Sequence, residues 1–173
     1  SYHTCEACGG ARLLPEALVW RLGTIDDRQN AAAALGSDMP SAEPIVTGRQ
    51  LPAAAYKRLP GFNFHELMLL PVSELRHFLE RLAARPHDEA EDLVLREALS
   101  RTQFLCDVGL GYLTLNRQGR TLSGGEVQRV NLTTALGTNL VNTLFILDEP
   151  SIGLHPRDMD RVNAILRRLT SAG

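Results

Sequence analysis

The chain has 173 residues, 44% of them hydrophobic and 22% charged, with 18 Lys and Arg against 20 Asp and Glu for a net charge of −2. That content supports one buried core or two small ones, and the near balance of charge excludes a general electrostatic pull toward nucleic acid, leaving such contacts to a local patch. No run reaches the roughly 20 apolar residues that a bilayer crossing requires and no leader-like segment opens the sequence, so a cytoplasmic piece without a membrane partner is expected.

At the start, Cys5-Glu6-Ala7-Cys8-Gly9-Gly10 has the form of one knuckle of a zinc ribbon. A closed structural zinc site takes four ligands, and Cys5 and Cys8 supply two. His3 is near in sequence, whereas Cys106 is remote and falls in a predicted helix. A redox pair is the rival reading, but the βαβ context it would need does not follow. Residues 11–22 carry Leu13, Leu14, Leu18, Val19, Trp20 and Leu22 without a clean period. Short strands, an extended segment and a short helix all remain open there, with Pro15 preventing a long helix and Trp20 read as a core filler.

Between residues 24 and 60 the composition shifts toward Ala, Gly, Pro, Asp and Gln, the signature of a loop or insertion. Helices follow. Val72, Leu75, Phe78, Leu79 and Leu82 share one face of a helix over residues 72–84, with Pro71 at its start and Pro86 beyond its end. A second helix is predicted over residues 88–108, with acids in its first turn and Gly109 as its stop. Its inner stripe is expected to hold Val94, Ala98, Leu105 and Val108, joined by Leu95 and Leu99. His65, His77 and His87 lack a ligating spacing and read as surface or satisfied residues. The chain thus divides into a knuckle-like start (1–23), a loop or insertion (24–60), a helical region (61–140) and a strand with a following helix (141–173), mainly α with a small α/β part.

Two stretches carry chemistry. Ser123 is a good helix N-cap and Glu126, three residues on, completes a capping box for a helix running toward Gly137. Glycines at 124 and 125 cost such a helix about 1 kcal/mol each unless something must approach the backbone closely. A phosphate is such a partner, because free amides at a helix start and the helix dipole favour an anion, and the Ser123 hydroxyl adds a donor. Downstream, residues 143–147 form an apolar run of the kind buried on both faces of a parallel sheet. Asp148 and Glu149 end it, where open α/β sheets place ligands. One acid can hold Mg²⁺ while the other orients and deprotonates an attacking water.

Leu122-Ser123-Gly124-Gly125-Glu126 resembles the signature of ABC-type ATPases, and Leu144-Phe145-Ile146-Leu147-Asp148-Glu149 resembles their Walker B strand. The continuation Pro150-Ser151-Ile152-Gly153-Leu154-His155, then Arg157-Asp158, is similar to the first nucleotide-binding domain of the UvrA family, the damage-sensing subunits of bacterial excinucleases. Val108-Gly109-Leu110-Gly111-Tyr112-Leu113-Thr114-Leu115 and the segment from Cys5 to Leu18 match it as well. The resemblance implies a helical signature subdomain plus the Walker B strand, an incomplete P-loop NTPase domain. It implies ATP and Mg²⁺ as cofactors, with zinc at Cys5 and Cys8. It assigns Ser123, Gly124, Gly125, Glu126, Gln128 and His155 to the nucleotide, Asp148 to Mg²⁺ and Glu149 to catalysis. As partners it implies damaged duplex DNA, a second nucleotide-binding domain, a UvrB-like protein and a second copy of the parent.

No G-x-x-x-x-G-K-[ST] occurs, so the loop that wraps the β-phosphate must come from elsewhere and this stretch alone is expected to be inactive. The 24–60 stretch is longer than the family pattern. Two alternatives stay open: a UvrA paralogue in drug or self-resistance, and a zinc-dependent interaction module whose ATPase motif is non-functional. A transporter ATPase fits the residues after Glu149 poorly.

Overall fold

A computed structural model describes residues 11–39, 45–46, 49–50, 59–137, 146, 159–160, 162–164 and 166–167. The chain divides into two compact units, Ser1–Leu70 and Pro71–Gly173. The expected mainly α architecture is what is found: helices throughout, with one two-stranded antiparallel hairpin among the described residues, β1 (Ile45–Val46) and β2 (Arg49–Gln50), in the register Ile45 to Gln50 and Val46 to Arg49.

In the first unit a 3₁₀ turn, Pro15–Leu18, precedes helix α1 (Ile25–Leu35), and a short helix α2 (Phe64–Leu69) closes it. Helix α1 stands inside the stretch whose composition predicted a loop. The Thr24 side chain accepts the Asp27 amide while the Asp27 carboxylate accepts the Thr24 amide, and alanines 31 to 34 carry the helix without an apolar stripe. Leu22 and Phe62 exchange two backbone hydrogen bonds of 2.8 Å. Gly61 makes this approach possible: its φ is +49°, and a Cβ there would lie 1.8 Å from the Leu22 carbonyl oxygen.

Charge is built into this unit. The Glu66 carboxylate, buried, accepts from Arg21 Nη2 at 2.6 Å, Arg28 Nη2 at 2.9 Å and the Asn63 amide at 2.8 Å. Arg21 and Arg28 also donate to the Gly61 carbonyl, and Arg28 lies 5.3 Å from the centroid of the Phe62 ring. Trp20 does not fill the core as expected; it is 80% exposed. The turn directs Leu18 inward, so its neighbours Val19 and Trp20 face solvent, and Phe62, fully buried, supplies the aromatic bulk instead.

The second unit is built on α3 (Val72–Ala83), α4 (Glu89–Asp107) and α5 (Gly124–Gly137), with α4 packed against both neighbours. Helix α3 buries Val72, Leu75 and Phe78, the predicted face. Helix α4 begins at an N-cap, Asp88, whose side chain accepts the Glu91 amide at 2.8 Å while Glu91 accepts the Asp88 amide at 3.1 Å. Its inner stripe differs from the expectation at one place: Val94 is 67% exposed, as is Leu93. The inward row runs through Leu95, Ala98, Leu99, Thr102 and Leu105, the i, i+3, i+4 series. Val94 borders that row, about 100° from Leu95 and about 40° from Ala98, and is left on its solvent side. Thr102 joins the row because its hydroxyl bonds back to the Ala98 carbonyl at 2.8 Å.

The core of this unit is Val108, Leu110, Leu113 and Leu132, with Leu105, Leu122, Val130 and Leu166 packed around it. Of the predicted strand at residues 143–147 only Ile146 is described; it lies outside any strand and is 87% exposed. A strand of a parallel sheet is covered by its neighbours, and no such neighbour is present among the described residues. Helical residues at 159–160, 162–164 and 166–167 agree with the predicted last helix, and Val162 is buried. No helix among the described residues is long and apolar enough to cross a membrane.

Candidate functional site: the turn that opens α5

Helix α4 stops at Gly109, whose φ of +75° carries the chain out of the helix. The loop that follows is tied to the start of α3 at two points, Ser73 N–H to the Gly111 carbonyl (3.0 Å) and Val72 N–H to the Leu113 carbonyl (2.8 Å). Between these ties stands Tyr112. The chain then passes through Arg117 and a 3₁₀ turn, Gly119–Thr121, and Leu122 packs on the core cluster, which fixes where Ser123 begins α5.

The capping box read from the sequence forms. Ser123 N–H donates to Glu126 Oε2 at 2.7 Å, and Glu126 N–H donates to Ser123 Oγ at 3.3 Å. The Val127 amide donates to the Ser123 carbonyl at 3.0 Å. Two amides of the first turn, those of Gly124 and Gly125, are left without a partner among the described residues, as helix starts require. Around Gly124 there is room, since a Cβ placed there meets nothing within 4 Å. The Gly124 position is thus open, and Ser123 beside it is exposed.

Glu126 is 6% exposed, and its other oxygen, Oε1, accepts the Tyr112 hydroxyl at 2.5 Å and faces Arg117 Nη1 at 3.4 Å. The Tyr112 hydrogen bond, aided by the Ser123 amide, holds this carboxyl below the usual range for glutamate. Partial burial, with the same hydrogen bond, pushes the Tyr112 phenol up. The carboxylate therefore stays charged, and its charge is taken up by a phenol, an amide and a guanidinium. The positive end of α5 thus offers two peptide N–H groups and a hydroxyl, a donor set of the kind that suits an anion.

The structure brings together Ser123, Gly124, Gly125 and Glu126, and places Gln128 half-buried on the same helix with its Oε1 lacking a hydrogen-bond partner. Cys5, Cys8, Asp148, Glu149 and His155 lie outside the described residues. Among the described residues no group of three or more His, Cys, Asp or Glu could hold a metal. Cys106 is half-buried in α4, and burial raises its thiol pKa against the pull of the Arg76 guanidinium. Arg117 braces the turn, donating to the Thr121 carbonyl at 3.0 Å, and Arg120 pairs with Gln118. Sequence reasoning missed Tyr112 as a partner of Glu126, since 14 residues separate them. The available signal was a phenol flanked by Gly111 in a short loop ahead of the capping box.

No family model matches the chain. The UvrABC system protein A of Methanothermobacter thermautotrophicus is 37% identical over 175 residues, which cover 100% of this chain and 14% of that protein. The Clostridium tetani protein of the same name is 40% identical over 169 residues (98% of this chain, 14% of that one), and the Thermus thermophilus one 47% over 119 residues (67% and 12%). Among solved structures, the crystal structure of UvrA2 from Deinococcus radiodurans matches with a TM-score of 0.61 and 34% identity, over 75% of this chain and 18% of that chain. The chain thus spans 14% or less of the length of these curated relatives.

Proposed function

The chain belongs to the UvrA family over the segment it aligns with, and on that premise we propose that it supplies the signature turn and the Walker B acids of an ABC-type ATPase that senses DNA damage in excision repair. The observation that carries the proposal is the start of α5: two glycine amides without a partner among the described residues, an exposed serine, and open space at Gly124. That arrangement fits a phosphate and would be wasteful in an ordinary helix.

In this reading Ser123 Oγ and the amides of Gly124 and Gly125 bind the γ-phosphate of a nucleotide held by the Walker A loop of another nucleotide-binding domain. Donors aimed in advance at a spreading negative charge need no rearrangement when the bond to the phosphate breaks. Glu126 holds the turn through its hydrogen bonds and leaves phosphate contact to its neighbours. Gln128 and His155 support the site. Asp148 would hold Mg²⁺, which when bound neutralises phosphate charge, and Glu149 accepts a proton from the attacking water. Since the turn meets a nucleotide carried by a different domain, ATP occupancy governs closure of the two, and closure governs engagement of damaged duplex DNA, of a UvrB-like partner and of a second copy of the protein. Cys5 and Cys8 provide two thiolates toward zinc, with the remaining ligands supplied from outside this segment.

The test is Glu149→Gln in the intact protein. ATP binding should persist while hydrolysis at this site slows roughly a hundredfold, the low end for losing a general base. Unchanged site-resolved turnover would remove Glu149 from the mechanism.

A further inference from the structure

Tyr112 presents an unusual combination: its side chain is 59% exposed, yet its hydroxyl makes a 2.5 Å hydrogen bond to a carboxylate that is almost wholly buried. A phenol left this open contributes little by burial, so its hydroxyl is the part the fold uses. The loop that carries it is fixed on either side, at Gly111 and Leu113, by amides from the first turn of α3. Beyond Tyr112, the same Glu126 carboxylate receives the Ser123 amide on its second oxygen. Phenol, carboxylate and backbone amide thus form one chain of contacts from α3 to the start of α5.

We propose that Tyr112 is a positioning residue of the signature turn: by holding Glu126, it sets the Ser123 backbone and so aims the Gly124 and Gly125 amides at the γ-phosphate. The inference rests on the reading of this turn as a nucleotide contact. Tyr112 touches no nucleotide itself. Its removal leaves Glu126 with the Ser123 amide and Arg117, so the helix persists while the turn loses its fixed aim.

The experiment uses the intact protein with ATP and four variants: Tyr112→Phe, Glu126→Gln, the two combined, and Gly124→Ala. Losing a hydrogen bond to a charged group should lower kcat about tenfold in Tyr112→Phe, with KM for ATP unchanged. Glu126→Gln should fall at least as far, and the double variant no further, because both act through one link. The pH profile separates positioning from mere structure. Glu126 faces Tyr112 and Arg117, and Arg129 faces the phenol from α5; with the phenol gone, the acid limb of kcat should move to higher pH. Normal kcat and an unmoved acid limb in Tyr112→Phe, alongside a Gly124→Ala variant that has lost turnover, would overturn this inference alone. Normal turnover in Gly124→Ala would overturn the nucleotide reading and this inference with it. If Tyr112→Phe loses helical content, Glu126→Gln decides, since unchanged kcat there breaks the link from its other end.

Discussion

Gly124→Ala separates the needs of folding from those of phosphate binding, because the two pull in opposite directions at this residue. Gly124 is the first residue of α5, and an added Cβ meets nothing within 4 Å. Its φ is outside the left-handed region, so alanine is free of strain. Folding should therefore gain about 0.5–1 kcal/mol from the lower entropy of the unfolded chain. Ligand approach should suffer. A phosphate oxygen must come within about 3 Å of the amide nitrogen to bond it, and a methyl group projecting about 1.5 Å from Cα occupies that path. Disabling one such donor costs roughly a hundredfold in turnover. Thermal unfolding and steady-state ATP hydrolysis of the intact protein measure the two effects, with Gly119→Ala as control, since Gly119 also has open space around it and lies ahead of the Ser123–Glu126 capping box. A Gly124→Ala protein that is as stable as wild type or more so, yet hydrolyses ATP about a hundredfold more slowly, is the expected outcome. Normal turnover, or an equal loss in the control, would refute the argument.

Glu66→Leu should destabilise the first unit by about 3–5 kcal/mol, because Arg21 and Arg28 would keep their burial and lose their carboxylate. Amide exchange at Leu22 and Phe62 reports it, and a change below about 1 kcal/mol would show that the cluster is only a surface pair. His87 donates to the Arg85 carbonyl and pairs with Asp92, and the Asp92 hydrogen bond raises its pKa above the ordinary 6.5. Its folded pKa lies above the unfolded one, so its contribution is complete below the unfolded value and fades as pH rises through the folded one. Protection of the first amides of α4 should fall across that window in the wild type and stay flat in His87→Ala.

What the sequence made legible was local. The α5 start follows from the capping box of Ser123 with Glu126, the α4 start from the acids of its first turn, and α3 from its apolar spacing. Helix α1 escaped because its capping partner is Asp27 and its body is alanine, which fills a helix without marking a buried face. Val94 shares the Ala98 side of α4 at the edge of the inward row, and spacing alone does not tell an edge position from a covered one. Glu66 meets Arg21 and Arg28 across 45 and 38 residues, and Tyr112 meets Glu126 across 14. Nothing periodic announces such partners; folding brings them together.

Mapping the contact itself is the most direct measurement. An ATP analogue with a photoreactive group on its γ-phosphate, bound to the intact protein with Mg²⁺ and irradiated, should label peptides containing residues 122–127. Excess ATP should suppress the label, as should Gly124→Ala. Saturating labelling at other positions, with the start of α5 unmodified under conditions that support hydrolysis, would contradict the account.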